Sequence, residues 1–395
     1  MAVLTEPRTD TEAETGIDFS FNEDQELMRD EVRRFAEERI RPGVAERDRE
    51  HRFPLDIFKE MGEMGLLGML VPEEYGGAGI DTLSYLLAME EISRVDPAVA
   101  VTMSVTNSVC CWPIVRFGGE ALKRKVLPAL AAGETLGGFG LTEPGAGSDA
   151  GSLKTTARRD GDFWVLDGEK AWITNAGHAG WFVVVARTNP EAGKRGLSAI
   201  VVPADAPGFS VGQPEEKLGL KSSRTAQIYF SDCRVPAENL LGEEGQGLKI
   251  ALATLDHSRL GIAAQAVGIH QRALELAVAY SKERVQFGSP IASNQAIQFK
   301  IAQMATELAA ARALTHYAGS MEHSSQAGRL AAQAKVYASE AANRACQESL
   351  QIHGGNGFHD DYEISRLYRD VRVTTIYEGT SEMQRLVIAR HLLQK

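Results

Sequence analysis

The apolar residues of this chain change their spacing twice, and that double change limits the fold more than any single motif. From about residue 20 to 135 they recur at helical intervals. Asn22 and Gln25 form a capping-box pattern, Met28, Val32, Phe35 and Arg39 follow at helical spacing, and Pro42 stops the run. From about 137 to 240 the period drops to two. Phe163 to Leu166 and Lys170 to Ile173 flank Asp167-Gly168, which predicts a hairpin because both turn residues tolerate positive φ. Trp181 to Ala186, Leu197 to Val202 and Ala226 to Phe230 read as further short strands. From about 246 helices return, with apolar stripes on Ile262, Ala266, Ile269, Ala273 and Leu276 and on Ile301, Met304, Leu308 and Ala311. The Ala-rich segment 329–352 ends at Gly354-Gly355, and alanine stripes let helices approach closely.

The predicted class is therefore α+β. A mobile acidic tail (1–19) precedes a helical domain (20–136), an antiparallel β domain (137–245) without βαβ units, and a bundle of long helices (246–395). A chain of 395 residues accommodates that many cores.

Charge excludes some functions. The net formal charge is −11, and the longest basic cluster, Lys123-Arg124-Lys125, is too short to hold a nucleic acid backbone. No apolar run is expected to cross a membrane. The first twenty residues carry five acids and a single arginine, which fits neither a secretory signal nor a mitochondrial presequence. Cys110, Cys111, Cys233 and Cys346 lack disulfide-framework or C-x-x-C spacing, so reduced thiols and a cytoplasmic location are expected. The histidines show no metal-ligand spacing, and no metal is expected.

Gly145-Ala146-Gly147-Ser148-Asp149-Ala150 fits the G-x-G-x-x-A dinucleotide pattern. That pattern works only where a helix begins at the glycines. Here Ser152 to Ala157 reads as a strand leading to a turn at Arg159-Asp160-Gly161, which argues against a Rossmann site. Three other stretches carry chemistry. Gly140 to Asp149 offers backbone N–H groups and hydroxyls to a carbonyl or phosphate. Trp172-Ile173-Thr174 offers a flat aromatic surface and a hydroxyl on a strand. Tyr377-Glu378-Gly379 puts a carboxylate just before a helix start, with Ser381 and Gln384 matching a capping box. Taken singly, each is as well explained by an interdomain turn, a core tryptophan or a solvated loop glutamate.

Together, in this order and spacing, the three stretches resemble the acyl-CoA dehydrogenase family of flavoenzymes, from about Phe21 to Leu393. Met103 to Ser108 and Tyr377 to Ile388 look most like its short-chain, butyryl-CoA branch. The resemblance implies an N-terminal helical domain, a middle β domain and a C-terminal four-helix bundle, with FAD as cofactor. It implies that Phe139, Gly140, Leu141, Thr142, Gly147 and Ser148 contact the flavin and its pyrophosphate, and that Ser148 also reaches CoA. Trp172, Ile173 and Thr174 would lie at the flavin ring. Arg284, Phe287 and Gln295 match positions that reach FAD across a subunit interface. Gln351, Ile352, His353, Gly354 and Gly355 match the loop at the adenine end, and Thr380, Ser381 and Glu382 a further FAD contact. Asp256, His257, Ser258, Arg259 and Gly379 match substrate contacts, and Glu378 matches the catalytic base.

Two departures stand out. His353 sits where many relatives carry Leu. Ser258 occupies the place where isovaleryl and long-chain members keep their glutamate, which disfavours those branches. The implied reaction takes a short-chain acyl-CoA to the trans-2-enoyl-CoA, with electrons passing to an electron-transfer flavoprotein from a homotetramer. Branched short-chain or medium-chain dehydrogenases, a decarboxylating glutaryl-CoA enzyme and an acyl-CoA oxidase are the alternatives within this chemistry. A colourless helical scaffold is the alternative outside it.

Overall fold

The computed structural model describes residues 21–393; the acidic tail expected at 1–19 lies outside these, as do residues 394 and 395. The N-terminal layer holds α1 (Glu23–Phe35), α2 (Val44–Glu50), α3 (Leu55–Glu63), α4 (Thr82–Val95), α5 (Pro97–Ser104), α6 (Trp112–Phe117) and α7 (Glu120–Ala131). The capping box forms at α1: the Gln25 N–H donates to Asn22 Oδ1 at 2.8 Å and the Asn22 N–H to Gln25 Oε1 at 3.1 Å. From α5 to α6 the chain stays helical through a π-helical segment. This stretch, Pro97–Phe117, is 21 residues long and is apolar enough to cross a membrane, contrary to the expectation. Interspersed Ser, Thr and Asn hide that character in the sequence. The stretch is buried almost throughout as a core helix.

The middle layer holds β1 (Leu136–Gly140), β2 (Thr156–Asp160), β3 (Phe163–Thr174), β4 (Ala179–Arg187), β5 (Leu197–Pro203), β6 (Phe209–Pro214), β7 (Thr225–Pro236) and β8 (Leu240–Leu241). They form one sheet in the order β6-β7-β3-β2-β4-β5-β8, with β1 also paired to β4. Pairing is mostly antiparallel, as expected, but β1 runs parallel to β4, so the sheet is mixed. The expected hairpin at Asp167-Gly168 does not form. β3 runs straight through, with a register shift against β7 between Leu166 and Gly168. Gly168 has φ +137°, and a Cβ there would sit 2.8 Å from the Thr155 Cα. The positive φ is used for a bulge rather than a reversal. The real turn is Gly161-Asp162, between the paired Asp160 and Phe163. The strand expected from Ser152 begins only at Thr156, after a short 3-10 turn over Ala150–Ser152. No long helix starts at the glycines, so the dinucleotide pattern there lacks its physical basis.

The C-terminal layer holds α8 (Gly247–Glu283), a small hairpin of β9 (Val285–Gln286) and β10 (Ser289–Pro290), α9 (Gln295–Ser320), α10 (Ala327–His353), α11 (Glu363–Val371) and α12 (Ser381–Leu393). The two expected stripes lie on α8 and α9; all their members are buried or half-buried against the core. On α10 the buried face is Ala331, Ala334, Ala338, Ala342 and Ala345. Small side chains let α8 and α10 lie close together, and α4 packs on α8 from the other side. All four cysteines are free and buried.

Candidate active site

The loop between α11 and α12 carries Glu378, and its backbone is held unusually. Glu378 has φ +50° and Gly379 φ +93°, a region costly for a glutamate and easy for a glycine. Three side chains hold the two carbonyls. Arg259 Nε on α8 donates to the Glu378 carbonyl at 3.4 Å, and Gln384 Nε2 on α12 donates to the same oxygen at 3.1 Å. Gln384 Nε2 also reaches the Gly379 carbonyl at 2.9 Å, where Lys335 Nζ on α10 donates at 2.7 Å. Thr380, not Ser381, caps α12, with its Oγ1 accepting from the Met383 N–H at 3.3 Å. The expected capping box does not form: the cap lies one residue earlier, at Thr380, and Gln384 is occupied with the loop carbonyls.

Glu378 is half-buried as a residue, but its Oε2 is shut off from solvent and has no hydrogen-bond partner among the described residues. Burial raises its pKa above the ordinary carboxylate range. Ser258, Lys335 and Arg259 act in the opposite direction without cancelling the rise. A carboxylate so placed is an activated base, because withdrawing water makes its ionised form more eager for a proton.

The substrate positions implied by the sequence do not all gather here. Ser258 and Arg259 are buried beside Glu378, and Asp256 forms an ion pair with Arg259. His257 instead stacks on Trp112 at 4.8 Å, and burial lowers its pKa to about 4, so it packs as a neutral ring. An apolar group of Val101, Val105, Val109 and Leu220 lies against Tyr377 and Phe139, linking the base loop to the end of β1.

The positions expected to face a flavin begin at that point. Trp172 has φ +62° within β3 and leaves 60% of its surface exposed, a poor arrangement for a tryptophan with nothing to cover. Ile173 points into the core and Thr174 is half-buried. The Ala171 N–H donates to the Thr142 carbonyl at 2.9 Å, tying this strand to the Gly140–Ser148 turn. Beneath the turn, Glu143 accepts from Lys170 Nζ at 2.7 Å and from the N–H groups of Lys154 and Thr155 at 2.6 and 2.9 Å. Lys170 is fully buried, and removing one partner of such a pair costs about 3–5 kcal/mol. Gly147 and Ser148 are exposed above this anchor, and a Cβ on Gly145 or Gly147 would meet nothing. The turn is rigid below and open above. An exposed aromatic face beside open backbone N–H groups fits a flavin and its pyrophosphate.

Arg284, Phe287, Gln295, Gln351, Gly354 and Gly355 are exposed and stand apart from Glu378. About 36 Å of helix separates Arg259 from the end of α8. Phe287 and Gly288 form the tip of the β9–β10 hairpin, and Phe287 is fully exposed. Gln351, Ile352 and His353 form the last turn of α10 rather than a loop. Ile352 is in the core, and His353 stacks on Tyr280 at 4.2 Å.

Lys335 and the Glu143–Lys170 pair carry no assignment from the sequence, and Gln384 is expected only as part of a helix cap. Lys335 was detectable, since it shares a helical stripe with Ala331, Ala338 and Ala342, and a lone lysine on an alanine face needs a buried partner.

Comparison with known proteins shows the family. Residues 22–134, 138–233 and 245–393 match the N-terminal, middle and C-terminal domain models of acyl-CoA dehydrogenase. The mitochondrial short-chain specific acyl-CoA dehydrogenase of Mus musculus is 49% identical over 373 residues, 94% of this chain and 90% of that one. The butyryl-CoA dehydrogenase of Megasphaera elsdenii superposes with TM-score 0.94 at 42% identity, covering 96% of this chain and all of that one. A Bacillus anthracis acyl-CoA dehydrogenase complexed with FAD superposes with TM-score 0.91 at 38% identity, covering 95% of this chain and 69% of that one.

Proposed function

The chain belongs to the acyl-CoA dehydrogenase family, and from that premise we infer that Glu378 is its catalytic base. The protein is an FAD-dependent oxidoreductase of the short-chain branch, converting a short-chain acyl-CoA to the 2-enoyl-CoA. When bound, FAD supplies the two-electron acceptor that the chain's own side chains lack. Phe139 to Thr142, Gly147, Ser148 and Trp172 to Thr174 would hold it, as would Thr380 to Glu382.

The remaining work falls to the protein. The α-carbon of a saturated thioester is a weak acid, so its proton goes to a carboxylate whose affinity burial has raised. Glu378 Oε2, buried and unpartnered, is the atom we assign to that proton. The fixed carbonyls of Glu378 and Gly379 keep the carboxylate from swinging toward water. The Val105, Val109 and Leu220 group beside Tyr377 supplies an apolar wall for the acyl end.

The free hairpin at Arg284 to Phe287 supports a homotetramer in which these residues, with Gln295 and Gln351 to Gly355, complete a neighbouring subunit's FAD site. Electrons then leave to an electron-transfer flavoprotein. Four buried free thiols support a cytoplasmic location, and the enoyl thioester product supports a place in fatty-acid β-oxidation.

The observation that carries the reading is the shielded, partnerless Glu378 Oε2. Glu378→Gln is expected to stay yellow and bind butyryl-CoA while losing about 10³-fold or more in turnover. Near-normal turnover would remove Glu378 from the role. Anaerobic flavin bleaching against a series of acyl-CoA lengths then fixes the preferred chain.

A further inference from the structure

Lys335 is fully buried on α10, in a stripe otherwise made of alanine. A lysine there forfeits its hydration, and an apolar residue of similar length would pack at no such cost. Its Nζ is spent on the carbonyl of Gly379, the residue after the base, and it enters no ion pair among the described residues. The other cation at the loop, Arg259, is neutralised by Asp256 and reaches only the Glu378 carbonyl.

We propose that Lys335 is a positioning residue for the base: its ammonium fixes the Gly379 carbonyl and supplies the uncompensated positive charge that favours the Glu378 carboxylate. The proposal rests on Glu378 being the base. The charges around the pair come from every packed element. Glu378 meets Ser258 and Arg259 from α8 and Lys335 from α10, and it perturbs Tyr85 of α4 and the adjoining Tyr377. Lys335 meets Glu378 from the loop, Arg259 from α8, Glu340 on its own helix and Glu382 on α12. Glu340 is taken by Arg385 at 2.6 Å, and Glu382 is exposed. Burial brings the pKa of Lys335 down to about 8, so the ammonium persists at neutral pH and is lost in mild alkali.

The coupling has two opposing consequences. Burial makes Glu378 a stronger base, but it also disfavours the carboxylate form that must accept the proton. A nearby ammonium opposes that rise without cancelling it, and the fixed carbonyl keeps the carboxylate aimed.

The test uses the FAD-loaded enzyme with butyryl-CoA, following kcat and KM against pH for Lys335→Met, Lys335→Gln and Lys335→Arg. For the neutral variants, the acidic limb of kcat is expected to move up by about one pH unit, so that kcat on that limb falls about tenfold while the plateau above it changes little. KM and flavin content should change less than about twofold, because neither ligand contacts Lys335 in this assignment. Lys335→Arg should restore the acidic limb. Neutral variants with the wild-type limb would overturn the proposal, as would an arginine variant that behaves like methionine. Should the neutral variants not fold, Glu378→Gln provides the reciprocal measurement. Removing the carboxylate charge should shift the Lys335 Nζ titration, followed by NMR of 15N-labelled lysine, to lower pH. An unmoved titration would overturn the proposal. High turnover in Glu378→Gln would instead defeat the base assignment and leave the lysine result without a mechanism to modify.

Discussion

The two ends of α8 belong to one helix but are built for different surroundings. The stretch from Ser258 to His270 is buried throughout: Gly261 faces the Tyr85 hydroxyl and Ser104, and Gly268 lies against the backbone of α4. Arg259 is committed to Asp256 and to the base loop. The C-terminal end opens into Arg284 and an exposed phenylalanine at the tip of a two-strand hairpin with no contact to the base. One end is finished within a single chain. The other leaves Arg284 and Phe287 exposed in the single chain, where the proposed assembly would cover them. On the proposed reading, one subunit would supply a complete base loop and half of a cofactor site.

Overpacking the finished end should break it. A Cβ on Gly268 would sit 2.3 Å from the Glu90 carbonyl oxygen, a backbone atom that cannot swing aside. Gly268→Val is expected to cost about 3 kcal/mol or to abolish folding, read by denaturant unfolding of the holoenzyme. A change below about 0.5 kcal/mol would mean that α4 and α8 are less closely fitted than described.

The open end should behave in the opposite way. Arg284→Ala removes an exposed side chain, so stability of the isolated fold should change by less than about 0.5 kcal/mol. FAD retention on gel filtration should weaken, and the assembly should dissociate at higher protein concentration than wild type. Full flavin occupancy with an unchanged assembly would place Arg284 outside the cofactor site and remove the contrast between the two ends.

How far the sequence could be read follows the same division. Helices and their capping were legible because i, i+3 and i, i+4 relations are local: the Asn22–Gln25 box and the stripes of α8 and α9 form as expected. The α-β-α order was legible for the same reason. Asp167-Gly168 misled because a positive φ serves a bulge as well as a turn, and only the approach of Thr155 distinguishes them. The offset of one residue at the α12 cap has a similar origin, since Gln384 was drawn to loop carbonyls rather than to a box. His257 looked like its neighbours in the helix motif, yet at about 100° per residue it faces Trp112 while Ser258 and Arg259 face the loop. Lys170–Glu143 and Lys335 joined residues from separate elements, and pairing across such distances leaves no periodic trace in the sequence.

The smallest expected effect concerns the energetic cost of the finished end. A carboxyl whose folded pKa lies above its unfolded value binds its proton more tightly in the folded state. Folding is therefore favoured by that group at low pH, and the advantage is lost as pH rises from the unfolded pKa through the folded one. Above its raised folded pKa, the wild type holds the Glu378 charge in a buried place at the expense of stability. Glu378→Gln removes this cost with nearly the same shape, so its apparent Tm at pH 7.5 should exceed wild type by about 1–2 °C. The gap should close near pH 4, where the wild-type carboxyl is protonated as well. Thermal unfolding of the two holoenzymes at one scan rate and both pH values reads the difference. A glutamine variant that is less stable at neutral pH would mean that Lys335 and Arg259 depend on the carboxylate more than burial opposes it. The base loop would then be held together by charge rather than strained by it.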